Sequence, residues 1–267
     1  MTLQISFDHQ AKNFDHRAGL KEQDCSTISE QLIKFYSNSK RRSFLEIGAG
    51  TGQIGQFVIE KVNDYVGIDI SNEMLQEFKK RVIVSTAAIP TLHATDANQK
   101  WPVSNQSVSV TFSSRTVHLL STQHVINEVR RVHDGGFFLI GRVSRDNHTL
   151  KDVMRKKMRE ILVSLGHPSR RGEEHRKELL DQFCAQQATR ISPITVTKWQ
   201  ETYTPKRSIE SWESKEGLAG QEIKESTKKE CMKQLREWAL RRYGSLEYEE
   251  TFQQSYILDG VELDHFC

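Results

Sequence analysis

Four glycines fall within eight residues of "EIGAGTGQIG", at Gly48, Gly50, Gly52 and Gly55, just after the acid Glu46. Such a turn lets backbone approach a ligand closely, at an entropic cost that packing alone does not return. Gly50, Gly52 and Gly55 satisfy the G-x-G-x-x-G spacing of a dinucleotide turn. Glu46 argues for a different ligand: an anion sits poorly where a pyrophosphate must approach a helix N-terminus, and suits a cationic ligand with donors. Asp69 closes the apolar run "YVGID", where a carboxylate can accept two ribose hydroxyls. Helix capping is its structural alternative, but Ser71 already supplies a cap. Asp96, in "HATDANQK", is a strand-end acid or an ordinary turn aspartate. His118, in "RTVHLL", can take a proton from an acceptor near neutral pH or simply pack. Arg142, ending "LIGR", and Arg17, in "FDHRAGL", can each grip a carboxylate with two parallel hydrogen bonds, or can serve as surface or capping residues.

These residues lie on an alternation of elements. "RSFLEIG", "DYVGIDI", "PTLHATDA", "SVSVTFSS" and "FFLIGRV" read as strands. "QIGQFVIEKV", "SNEMLQEFKKRV" and "STQHVINEVRRVHDGG" read as helices between them, the last closed by Gly135 and Gly136. Strands separated by helices imply a parallel, doubly wound sheet with right-handed crossovers. Ligands then bind outside the carboxyl ends of the strands. The second half is different: residues 146–192 are helical and charged and read as an insertion. "ITVTKWQETY" and "TFQQSYILDGVEL" follow as late strands, with the amphipathic helix "KKECMKQLREWALRRYG" between them. The expected division is 1–43 as an N-terminal cap, 44–145 as a ligand-binding core, 146–192 as the insertion and 193–267 as late strands, all in one domain.

In order, these segments resemble the class I S-adenosylmethionine-dependent methyltransferases, within them the ubiquinone/menaquinone-type and small-molecule group. The resemblance runs from about Phe14 to Val143. It rests on "EIGAGTG", on Asp69, on "DA" at Asp96–Ala97, on "SSRTVHLL" and on "EVRRVHDGGFFLIGR". Two departures stand out: Ser107-Val108 replaces a common Phe-Asp, and His133-Asp134 replaces Leu-Pro. The resemblance implies a Rossmann-like seven-stranded α/β sheet whose last strand is antiparallel. It also implies a pocket for S-adenosyl-L-methionine, and for the product S-adenosyl-L-homocysteine, formed by Arg17, Glu46, Gly48, Ala49, Gly50, Gly52, Asp69, Ile70, Met74, Asp96, Ala97 and Ser113. His118 is then the candidate base and Arg142 the candidate acceptor-binding residue, with no metal. Oxygen of a small metabolite or natural product is the expected acceptor. Nitrogen, or a tRNA- or peptide-modifying reaction, is the alternative, and a cofactor-binding module without turnover the reading outside enzymes.

Composition narrows the classes. The net charge is +3, and the basic runs near Arg155 and Arg170 carry interspersed glutamates that read as a solvated face rather than a nucleic-acid stripe. Cys25, Cys184, Cys231 and Cys267 form no C-x-x-C pair, so neither a zinc site nor a disulfide framework is expected. No apolar run reaches the roughly 20 residues of a membrane helix, and the N-terminus lacks a signal-peptide pattern. The expectation is a cytoplasmic enzyme with a small-molecule or peptide-like acceptor, no membrane or nucleic-acid partner, and a surface compatible with a homodimer.

Overall fold

The computed structural model describes residues 20–40, 42–85, 89–144, 148–167, 172–215, 217–219, 221–264 and 266. Helix α1 (Glu22–Ser37) precedes β1 (Ser43–Ile47), α2 (Gly55–Ile59), β2 (Tyr65–Asp69), α3 (Asn72–Ser85), β3 (Thr91–Ala94) and β4 (Val108–Ser114). Then come α4 (Thr122–Val132), β5 (His133–Val143), α5 (Leu150–Ser164), α6 (Gly172–Ala185), β6 (Thr189–Tyr203), α7 (Pro205–Glu213), α8 (Glu225–Tyr243) and β7 (Glu250–Glu262). The seven strands form one sheet in the order β3-β2-β1-β4-β5-β7-β6. Pairing is parallel from β3 through β5. It reverses at β7: Leu263 N donates to Gly136 O at 2.8 Å and Ser144 N to Ser255 O at 2.7 Å, so one chain ascends as the other descends.

The parallel strands form because their residues are apolar on both faces, as a sheet covered by helices on each side requires. Leu45, Ile47, Val110, Phe112 and Phe138 are all buried. Helix α4 shows how a helix reads its side: Val125, Ile126, Val129 and Val132 form one buried stripe, and Ser121 Oγ accepts from His124 N to cap the start. Gly135 and Gly136 do not close this helix, contrary to the sequence reading. The helix ends at Val132, and both glycines lie in β5 with φ of 86° and 93°. The pairing of β4 with β5 shifts register between Val108 and Val110, opposite His133 and Phe137. The glycines absorb that bulge, and Gly136 passes so close to Ser109 backbone that a Cβ would clash.

The described residues fall into two compact units. The first gathers those up to Arg142 with Gly172–Thr197 and those from Tyr256 onward; the second gathers Val143–Arg171 and Lys198–Ser255. The stretch 146–192 is therefore divided, its α6 belonging to the first unit. The second unit has its own core, in which Met154, Met158 and Ile161 of α5 pack with Cys231, Met232, Leu235 and Ala239 of α8. Tyr203 is part of that core and Trp212 packs against it, so these aromatics serve packing.

Candidate active site

The order of the strands reverses between β1 and β4, which opens a crevice at their carboxyl ends. The glycine turn leaves β1 there. Gly48 N and Ala49 N donate to Ile68 O, stitching the turn to β2. Gly48, Gly50 and Gly52 take φ of 72°, 56° and 73°, a region hostile to other residues. Their surroundings differ. Gly48 lies under Thr116, whose Cβ would stand 2.7 Å from an added Cβ, and Gly52 lies against the ring of Phe78. Gly50 alone of the three faces open space, its nearest neighbour to an added Cβ being Gly48 O at 4.0 Å.

Asp69, at the end of β2, fastens the turn. Its Oδ2 accepts from Gly50 N and its Oδ1 from Ser71 N, each at 2.9 Å. Ser71 caps α3, its Oγ accepting from Met74 N at 3.2 Å. Ile70, between them, is 38% exposed, an apolar surface beside the acid. On the next strand end, Asp96 Oδ1 accepts from Asn98 N at 2.9 Å, and Ala97 is buried. Asn98 in turn donates to Leu119 O and accepts from Ser121 N, tying this loop to the 3-10 turn Val117–Leu119 that follows β4. His118 is exposed on that turn.

Glu46 is not a free anion facing the crevice. It is 3% exposed and accepts a hydrogen bond from Tyr65 Oη. Burial pushes its pKa up to about 8, with the Asp69 charge adding to the rise and the Tyr65 bond opposing it. Gly55 makes room for the pair: an added Cβ would lie 2.5 Å from Tyr65 Oη and 2.8 Å from Glu46 Oε2. Glu46 thus braces the turn from below, largely protonated at neutral pH.

The structure gathers Gly48, Ala49, Gly50, Gly52, Asp69, Ile70, Asp96 and Ala97 around the carboxyl ends of β1, β2 and β3. Ser113 is at the end of β4, but its Oγ is spent on Ile47 O at 2.9 Å. Met74 is buried in the core side of α3. Arg142 is half-buried near the end of β5, one position beyond the Ser114–Gly141 register pair. Arg17 lies outside the described residues. Sequence reasoning missed Tyr65, Asn98 and Thr116. Each acts across strands or loops distant in sequence, and only Thr116, two residues past β4, carried a positional signal.

This arrangement fits S-adenosylmethionine. The open face of Gly50 leaves room for a ligand against backbone, the carboxylate chemistry of Asp69 suits ribose hydroxyls, and Ile70 offers apolar surface for a base. Among the described residues no group of three or more His, Cys, Asp or Glu could hold a metal ion, and no helix is long and apolar enough to cross a membrane.

Comparison with known proteins follows the same lines. Residues 44–136 match the family described as methyltransferase domain. A malonyl-[acyl-carrier protein] O-methyltransferase of Hamiltonella defensa subsp. Acyrthosiphon pisum is 24% identical over 136 residues, 50% of this chain and 49% of that protein. The match thus spans about half the length of that curated relative. Among solved structures, the YcgJ protein of Bacillus subtilis superposes with a TM-score of 0.55 at 16% identity, over 87% of this chain and 97% of that one. A protein of Bacillus halodurans assigned as a methyltransferase gives 0.54 at 13% identity, over 87% and 98%. The chain has the fold of the class I S-adenosylmethionine-dependent methyltransferases, and its residues 44–136 match the methyltransferase-domain family.

Proposed function

We propose that this protein transfers a methyl group from S-adenosylmethionine to an oxygen, a hydroxyl or carboxylate, of a small molecule. The observation that carries the reading is the Asp69 carboxylate, which fixes the glycine turn at Gly50 and lies beside its open face. The methyltransferase-domain match supports the reaction class, and the curated relative, an O-methyltransferase by name, supports oxygen.

When bound, the cofactor supplies a methyl group already activated on a sulfonium. The protein's task is then alignment and exclusion of water, which convert an encounter between two molecules into a step within one complex. Asp69 would hold the ribose, Ile70 and the Asp96–Ala97 loop the adenine, and the turn Gly48–Gly50 the methionine end. His118, exposed on the turn after β4, is the candidate to receive a proton from a hydroxyl acceptor. Arg142 is the candidate to hold an acceptor carboxylate.

The test is calorimetric titration of S-adenosylmethionine, S-adenosylhomocysteine and, as control, NADH into wild type and Asp69→Ala. Micromolar binding of the two sulfur ligands, weakened roughly 100-fold in Asp69→Ala by loss of charge-assisted bonds, is expected. Binding of NADH alone would overturn the reading. Label transferred from methyl-tritiated cofactor to a panel of hydroxy and carboxylic acids, including a malonyl thioester, then reports the acceptor group: a carboxylate methyl ester releases its label in mild base, whereas a methyl ether or an N-methyl group does not, and these two are told apart by identifying the labelled product.

A further inference from the structure

Tyr256 lies in β7, far along the chain from the glycine turn, yet its hydroxyl reaches the end of β4. The side chain is fully buried. It lies across Gly141 of β5, where an added Cβ would stand 2.6 Å from Tyr256 Cζ. Beyond Gly141 its Oη shares a 2.8 Å hydrogen bond with Ser114 Oγ, the last residue of β4. Ser114 O accepts from Thr116 Oγ1 at 3.2 Å. Thr116 in turn covers Gly48, leaving no room for a Cβ there.

The segment between these contacts is held under strain. Arg115 takes φ of 62°, a conformation costly for a residue with a Cβ, while its N–H donates to Gly141 O at 3.3 Å. Such a conformation persists only where its surroundings over-determine it, and such sites cluster at functional centres. Those surroundings include Gly141 and Ser114, and Tyr256 touches both. Burial drives the Tyr256 hydroxyl far above its ordinary pKa, so it stays a neutral hydrogen-bonding group.

We propose that Tyr256 is a positioning residue: through Ser114 and Thr116 it sets the place of Gly48, and so the methionine end of the cofactor site. The inference rests on the proposed methyltransferase function for its consequence but not for its geometry. It assigns a site role to a residue of the last strand, outside the matched segment 44–136.

The test uses Tyr256→Phe, which removes only the hydroxyl, and Ser114→Ala, which removes its partner. The first measurement is hydrogen exchange by NMR on the ligand-free full chain. In both variants the amides of Gly48 and Gly50 should exchange about tenfold faster, as loss of one buried hydrogen bond implies, while those of Val66 and Ile68 hold their rates. The double variant should show no further gain. Unchanged exchange at Gly48 and Gly50 in both single variants would overturn the proposal, whatever the protein's activity. The second measurement is the cofactor dependence of methyl transfer: KM for S-adenosylmethionine should rise about tenfold with kcat within a factor of about two, since the reacting groups themselves are intact. A lowered melting temperature with KM and kcat both unchanged would make Tyr256 a packing residue only. If the wild type binds no S-adenosylmethionine, the functional reading falls, and the exchange result still decides whether Tyr256 positions Gly48.

Discussion

His133 opens β5 and is buried. Its Nδ1 lies 3.2 Å from Gly135 O, and because a carbonyl only accepts, Nδ1 carries the proton. Its Nε2 therefore accepts from the Thr111 hydroxyl at 2.7 Å. A second proton would have to enter at Nε2, reverse that bond and place a charge in the core. Burial accordingly lowers the pKa from 6.5 to about 4, the Gly135 bond opposing the fall only in part. The unfolded chain thus binds more protons than the folded one between those values. Stability is full above pH 6.5 and lost as pH falls, by about 3 kcal/mol near pH 4. Glu46 works in the opposite sense, since its raised pKa favours the fold as pH falls from about 8, so the total curve alone would not isolate His133. The comparison with His133→Gln does, because the amide can donate to Gly135 O and accept from Thr111 without titrating. Urea unfolding followed at pH 7.5, 6, 5 and 4.5 should show the wild type losing about 2.5 kcal/mol relative to the variant across that range. A constant difference between the two proteins at all four values would refute the argument, as would NMR evidence of an imidazolium at His133 at pH 5.5.

Two further outcomes follow from the turn. Gly52→Ala, driven against the Phe78 ring with φ of 73°, should cost about 2–4 kcal/mol of stability in denaturant melts. Gly50→Ala, with open space above it, should cost only about 1 kcal/mol yet weaken S-adenosylmethionine binding at least tenfold by calorimetry, because the methyl group enters the ligand's side of the turn. For Glu46→Gln, the wild type should lose stability relative to the variant as pH rises from 4.5 to about 8, where the folded state keeps a proton that the unfolded state loses, a difference read by comparing the two melting temperatures across that range.

The sheet was legible in the sequence because each parallel strand is a short apolar run and each crossover helix carries an apolar stripe, both local patterns. Asp69, Gly50 and Ile70 were legible for a related reason: they lie at or just past the end of a strand, and strand ends are where such sheets bind ligands. What local pattern could not give is the destination of a side chain. "EIG" is an acid before a turn in the sequence, whereas in the fold Glu46 points beneath the turn to Tyr65, 19 positions away, and loses its charge there. Gly135 and Gly136 look like a helix stop because two glycines after a basic turn usually are one. Their role in a bulge depends on Ser109, which only the sheet brings near. The division of the second half likewise depends on which core each helix joins, and α5 and α6 follow one another in sequence and are both rich in charge yet join different ones.

Gly141 and Tyr256 fill one space between them. No left-handed conformation is recorded at Gly141; what excludes a larger residue there is the ring laid across it. Neither position is then free to drift alone through descent. An alanine at 141 becomes tolerable after the aromatic at 256 has shrunk, and once it is fixed the ring cannot return. The two sites, 115 residues apart, should vary among relatives as a pair and in a set order, which makes this contact a record of ancestry as well as a support for the turn.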